Sequence, residues 1–120
     1  MDTYERYHRA SRQFDLGDYL SAARGLEALL MDVAVEDADN EGPGHGLTHV
    51  RLLLARAYYH SAQLGRAEKT ARAVLSESPT DAYAALLLAR TLERASRKEE
   101  AREAMRLAAA LGAPGTTHAA

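Results

Sequence analysis

The chain has 120 residues, with 15 Lys and Arg against 17 Asp and Glu, so its formal net charge is −2. This length is typical of a single domain, and the near-neutral charge lacks the basic excess of most nucleic-acid-binding domains. The chain has no Cys, which excludes a disulfide framework, a thiol nucleophile and a thiolate metal site.

Apolar residues recur at helical spacing in six segments, so the sequence predicts an all-α fold. In chain order the predicted helices cover about 3–15, 19–35, 48–61, 65–77, 82–95 and 98–111. Asp81 and Ser96 are typical helix starts, and Pro79 and Gly112 are typical stops. Residues 36–46 are rich in Gly, Pro, Asp and Asn and are predicted to be an exposed loop. Residues 116–120 are predicted to be a frayed tail.

The predicted helices repeat in pairs. A shift of 34 residues moves the sequence LARAY at 54–58 onto LARTL at 88–92, which defines two units at about 48–81 and 82–115. An earlier unit lies at about 4–36, and the loop 36–46 is an insertion after it. Aligning Ser11 with Ala55 gives a shift of 44 residues for its first helix, against 45 for its second. The first turn is therefore predicted to be one residue shorter than the second.

This pattern resembles the tetratricopeptide repeat family, whose 34-residue helix-turn-helix unit carries small residues and Tyr on its first helix and Ala on its second. The residues that carry the resemblance are Tyr7, Ala10, Ser11 and Phe14 in the first unit, Leu54, Ala55, Tyr58, Ala67 and Pro79 in the second, and Leu88, Ala89, Leu92 and Ala101 in the third. The resemblance implies a right-handed α-solenoid of three repeats and six helices, forming one domain over residues 1–115. It also implies a concave groove, formed mostly by the first helix of each unit, that holds a peptide or helix of a partner protein.

The predicted groove is basic. If Ser11, Ala55 and Ala89 face the paired helix, the following residues Arg12, Arg56 and Arg90 fall on the concave side at one equivalent place. The other residues predicted to line the groove are His8, His49, Leu52, Tyr59, His60, Tyr83, Leu86 and Arg94. A guanidinium group pairs bidentately with carboxylates and stacks on rings. The hypothesis is therefore a non-catalytic interaction module that binds an acidic peptide or a C-terminal carboxylate.

Two other functions remain open. The last unit has no covering helix, so Leu92, Met105, Ala108 and Leu111 are expected to be partly exposed, and a homodimer or larger assembly could form through them. RNA binding through the arginines is the other alternative, against which the net charge argues. The groove could also be filled by the protein's own 36–46 loop or tail.

The sequence lacks complete motifs for catalysis or metal binding. The sequence has no phosphate-binding Gly-rich loop and no nucleophile elbow. His45 and His49 have the spacing of zinc ligands, but no carboxylate completes a site. The acidic segment 37–42 copies the start of a calcium loop, yet Thr48 stands where the bidentate Glu is needed. We expect no enzymatic activity, metal or cofactor, and the aromatic residues at core spacing are expected to pack inside the fold: Tyr4, Tyr7, Phe14, Tyr19 and Tyr58.

The chain is also expected to be cytoplasmic and to have no membrane partner. Its apolar runs fall short of the roughly 20 residues that span a bilayer. The charged residues within 1–12 are unlike a signal peptide.

Overall fold

The computed structural model describes residues 2–39 and 47–115, apart from the side chains of residues 35–39. Within these ranges the protein has six helices and no strands, which confirms the prediction that it is all-α. The helices are α1 (Thr3–Asp15), α2 (Tyr19–Asp39), α3 (Thr48–His60), α4 (Leu64–Glu77), α5 (Ala82–Arg94) and α6 (Lys98–Ala110). None of these helices is long and apolar enough to cross a membrane.

Helix α2 is longer than predicted. It continues to Asp39, so the expectation of a loop from residue 36 is wrong at its start. After Gly25, the next Gly in the sequence is Gly42 and the next Pro is Pro43. Since Gly and Pro are the residues least favourable in a helix, residues 36–39 carry no strong stop signal. The rest of the predicted insertion and the predicted tail at 116–120 lie outside the described residues.

Each helix packs against the next one along the chain, and α3 also contacts α1 and α5. The helices that were predicted to come first in each unit are therefore neighbours. The second helices lie farther apart. A long ion pair joins the last two of them, with a nitrogen of Arg72 on α4 3.3 Å from an oxygen of Glu100 on α6.

The core combines a few leucines with many alanines. Leu26, Leu29 and Val50 are buried in a cluster that spans α1 to α4. Leu88 and Leu92 are buried in a second cluster between α4, α5 and α6. Alanines fill the remaining core positions, which lets the helices approach closely without large rings.

The three turns inside the units have the same length, at residues 16–18, 61–63 and 95–97. Their central residues are Gly17, Ala62 and Ser96, with φ values of 84°, 62° and 62°. The first and second units are therefore displaced by 45 residues in both helices, and the prediction of a shorter first turn is wrong. Ser96, predicted as a helix start, is instead the left-handed residue of the third turn.

Two further observations fix the displacement of 45 residues. The ion pair between Arg6 and Asp32 at 2.7 Å in the first unit has an equivalent between Arg51 and Glu77 at 2.6 Å in the second. The buried small residue of α1 is Ala10, which corresponds to Ala55, whereas Ser11 is only half-buried.

We expect Ala62→Gly and Ser96→Gly to stabilise the protein and Gly17→Ala to destabilise it. A left-handed conformation costs a residue with a Cβ roughly 1–2 kcal/mol, whereas the extra freedom of Gly in the unfolded chain costs about 0.5–1 kcal/mol. Urea unfolding would measure the difference. The exposed Ala73→Gly in the middle of α4 is the control and should lose about 1 kcal/mol. Stability losses in both turn variants as large as in this control would contradict the left-handed turns.

Truncating a core leucine should be costly. Leu92 is 1% exposed, so Leu92→Ala is expected to lower the free energy of unfolding by about 2–5 kcal/mol through lost burial and the cavity left behind. Leu20 is 54% exposed, and the matched Leu20→Ala change should alter stability by only about 0.5 kcal/mol. Equal effects of the two changes would contradict the burial of Leu92.

Candidate functional site

A depression with a volume of about 200 Å³ lies between α3 and α5. Its lining is Arg56, Tyr59 and His60 on α3 and Tyr83, Leu86, Leu87 and Arg90 on α5. On each helix the later residues follow the first at spacings of three, four or seven positions, so they share one face. We call this site the α3–α5 depression. Six of its seven residues were predicted as groove residues, and Leu87 was not.

Two arginines stand at the rim of this depression with donors left for a ligand. The guanidinium carbon of Arg56 lies 4.5 Å from the centre of the Phe14 ring, and no carboxylate pairs with it among the described side chains. Arg90 lies 3.7 Å from Glu93, and both side chains are nearly half exposed. Such an exposed pair is weak, so an incoming carboxylate can compete for Arg90.

Arg94, another predicted groove residue, is already engaged. Its guanidinium donates to the carbonyl oxygen of Tyr59 at 2.6 Å and lies 4.6 Å from the centre of the Tyr59 ring. That carbonyl lies in the last turn of α3 and also accepts from the backbone N–H of Ala62 at 3.2 Å. Arg94 therefore joins α5 to the end of α3 and holds the Tyr59 ring in place.

His60 contacts two of the aromatic residues that were predicted to pack in the core, Phe14 and Tyr19. Its ring stacks on Tyr19, with centres 4.8 Å apart and planes at 19°, and meets the edge of Phe14 at 5.4 Å. The residue as a whole is exposed, but Tyr19 covers one ring face. Burial, and then the charges of Arg56 and Arg94, lower the pKa of His60 below 6.5. The lowered pKa favours the neutral ring, so His60 adds little to the positive charge of the nearby arginines.

The predicted row of three equivalent arginines is wrong. With the displacement of 45 residues, Arg56 and Arg90 correspond to Ser11, whereas Arg12 corresponds to Ala57. The match of Ser11 with Ala55 is one position out of register, because Ala10 is the equivalent of Ala55.

Arg12 and His8 line a separate, exposed side of α1 together with Tyr4 and Glu5. His8 contacts the ring of Tyr4 at 4.2 Å. Tyr4 itself is 71% exposed, so its predicted place in the core is wrong. Of the predicted groove residues on α1, neither reaches the α3–α5 depression.

The two remaining groove predictions also lie outside the depression. His49 contacts the edge of Tyr7 on α1, with ring centres 5.0 Å apart. Leu52 is half-buried on α3 and is not among the residues that line the depression.

The predicted self-association surface is mostly covered by the protein itself. Leu92 and Ala108 are 1% and 0% exposed, so the expectation that they are partly exposed is wrong. Leu92 packs in the core between α4, α5 and α6, and Ala108 packs on Ala85 of α5. Met105 and Leu111 are half-buried.

No metal site accompanies the depression: within residues 2–34 and 47–115, no three His, Asp or Glu side chains are placed to hold an ion together. No protein-family model matches the chain, and no curated protein matches it. Function must therefore be inferred from the geometry and chemistry of the site itself.

The lowered pKa of His60 is testable by NMR titration of its ring. Because burial is the largest cause, Tyr19→Ala should raise the pKa of His60 toward 6.5, and Arg56→Ala should raise it by removing a positive neighbour. Arg102→Ala, an exposed change on α6, should leave it unchanged. A His60 pKa at or above 6.5 in the wild-type protein would contradict the stacked environment.

The same shift gives a pH dependence of folding. Since the folded state lowers the pKa of His60, the unfolded chain binds the proton first as the pH falls. The contribution of His60 to stability is therefore present above pH 6.5 and is lost as the pH falls from 6.5 toward the folded-state pKa.

Proposed function

We propose that this protein is a non-catalytic protein-interaction module with a tetratricopeptide-like architecture. In this proposal α1 to α6 form three repeats of a right-handed solenoid, and the face made by α1, α3 and α5 is a concave groove. The contacts of α3 with both α1 and α5, the equal turns and the equivalent ion pairs of the first two units support it.

The α3–α5 depression is the observation that carries the proposal. Leu86, Leu87 and the rings of Tyr59 and Tyr83 give the depression an apolar lining. Arg56 and Arg90 add two guanidinium groups. An apolar pocket beside a few charged groups is the usual form of a peptide anchor site. The ligand that fits is an acidic peptide, or the C-terminus of a partner, with one apolar side chain beside its carboxylate.

Two contacts hold the site in place before a ligand binds. Phe14 lies under the guanidinium of Arg56, and Arg94 holds Tyr59 through its carbonyl and its ring. A site whose side chains are already ordered loses less entropy when it binds. The geometry therefore favours recognition of a defined short segment over nonspecific attraction of anions.

The test begins with selection of ligands from a random library of peptides that end in a free carboxylate. Fluorescence anisotropy with the selected peptides then compares the wild type with the Arg56→Ala/Arg90→Ala variant. Each charged hydrogen bond contributes about 1.5–3 kcal/mol, so the variant should bind at least about tenfold more weakly. Amidated peptides show whether the carboxylate is terminal or belongs to an Asp or Glu side chain.

The matched control is Arg102→Ala/Arg106→Ala, which removes two exposed arginines of α6. It should bind the selected peptides as tightly as the wild type. If no peptide is selected, or if Arg56→Ala/Arg90→Ala keeps full affinity with unchanged helicity, the proposed function is wrong.

A further inference from the structure

One side of α1 differs from the equivalent sides of α3 and α5. It carries Glu5, His8, Arg9, Arg12 and Gln13, of which the first four are exposed and Gln13 is half-buried. We call this surface the α1 end face. It shares no residue with the α3–α5 depression.

The equivalent residues of the other two units are all buried. They are Val50, Leu53, Leu54, Ala57 and Tyr58 on α3, and Ala84, Leu87, Leu88, Thr91 and Leu92 on α5. Helix α2 packs against α3, and α4 packs against α5. The side of α3 and α5 that is equivalent to the α1 end face is thus covered by the preceding helix in each case.

The α1 end face also has the shape to receive a helix. A depression of about 340 Å³ runs between α1 and α2, with Arg9, Gln13 and Arg24 at its sides and the small residues Gly25 and Ala28 beside them. A second depression of about 320 Å³ follows α1 past His8 and Arg12. Small residues between two helices leave the space that a third helix can enter.

The charge of this surface is positive. Arg9 and Arg12 of the face, and Arg24 beside it on α2, are exposed and have no carboxylate partner among the described side chains. Arg6, at the edge, is paired with Asp32 at 2.7 Å. Glu5 is the one acidic residue of the α1 end face as defined, against the two unpaired arginines Arg9 and Arg12.

We propose that the α1 end face binds an amphipathic helix of a partner protein, with Asp or Glu alternating with small apolar residues on its contact side. The buried equivalents on α3 and α5 indicate that the occupant is a helix. The three unpaired arginines require that the helix is acidic, because charge complementarity across an interface selects the partner. This site is independent of the proposed peptide site, and either one can fail alone.

The probe is a synthetic helical peptide of about 20 residues, built from Ala and Leu with Glu along one side. Such a helix is about 30 Å long, which is longer than α1. A second peptide has Lys in place of every Glu. Fluorescence anisotropy at low salt should show binding of the Glu peptide only. Arg9→Glu/Arg24→Glu should weaken that binding at least tenfold and should make the protein bind the Lys peptide instead.

The Glu peptide also carries the acidic and apolar groups that the α3–α5 depression is proposed to bind. The binding is therefore compared in the Arg56→Ala/Arg90→Ala background, which leaves the α1 end face intact. In that background Arg102→Glu/Arg106→Glu, which changes the charge by the same amount on α6, should bind the Glu peptide unchanged, and circular dichroism should show that all variants stay helical. Equal weakening by this control and by Arg9→Glu/Arg24→Glu would overturn the inference, as would equal binding of the two peptides when the α1 end face is intact.

A second copy of the chain is the competing occupant. Sedimentation equilibrium of the wild type over a wide concentration range should show a monomer. A dimer that Arg9→Glu/Arg24→Glu dissociates would assign the α1 end face to self-association and overturn the proposed partner helix.

Discussion

The close packing of helices at buried alanines is the constraint on which the whole structure depends. The first helices meet their neighbours at Ala10, Ala55 and Ala89, and the second helices at Ala22 and Ala67, each at most 1% exposed. A core with one Phe and no Trp cannot fill wide spaces between helices, so it must bring them together at methyl groups. Larger side chains at these places would force the helices apart.

The surface follows from the same packing. Alanines hold α3 close to α1 and α5. The larger side chains beside these alanines therefore lie at the rim of each helix contact. There Arg56 covers Phe14 and Arg94 covers Tyr59. The α3–α5 depression is the space that remains beside these pairs, and its arginines and rings are a consequence of how the helices meet.

Much of the fold could be predicted from the sequence because helical periodicity is a local property. The start of every helix was predicted to within one residue, and Asp81 caps α5 by accepting from the backbone nitrogen of Ala84 at 2.9 Å. The register of the first unit could not be predicted so well, since Ala10 and Ser11 are both small. Which of them faces the paired helix depends on the turn at Gly17, whose left-handed conformation fixes the rotation of α1 relative to α2.

That one-residue difference decided the outcome for the candidate site. The residues on α3 and α5 share an exact repeat of 34, and Arg56, Tyr59, Tyr83 and Arg90 line one depression. On α1 the one-residue difference places Arg12 on another side from the equivalents of Arg56 and Arg90, because one residue along a helix is a rotation of about 100°. The sequence by itself determined six helices, their pairing in units and the residue types along each face. Only the tertiary structure decided which faces meet, because side chains from different helices become neighbours through packing and not through their spacing along the chain.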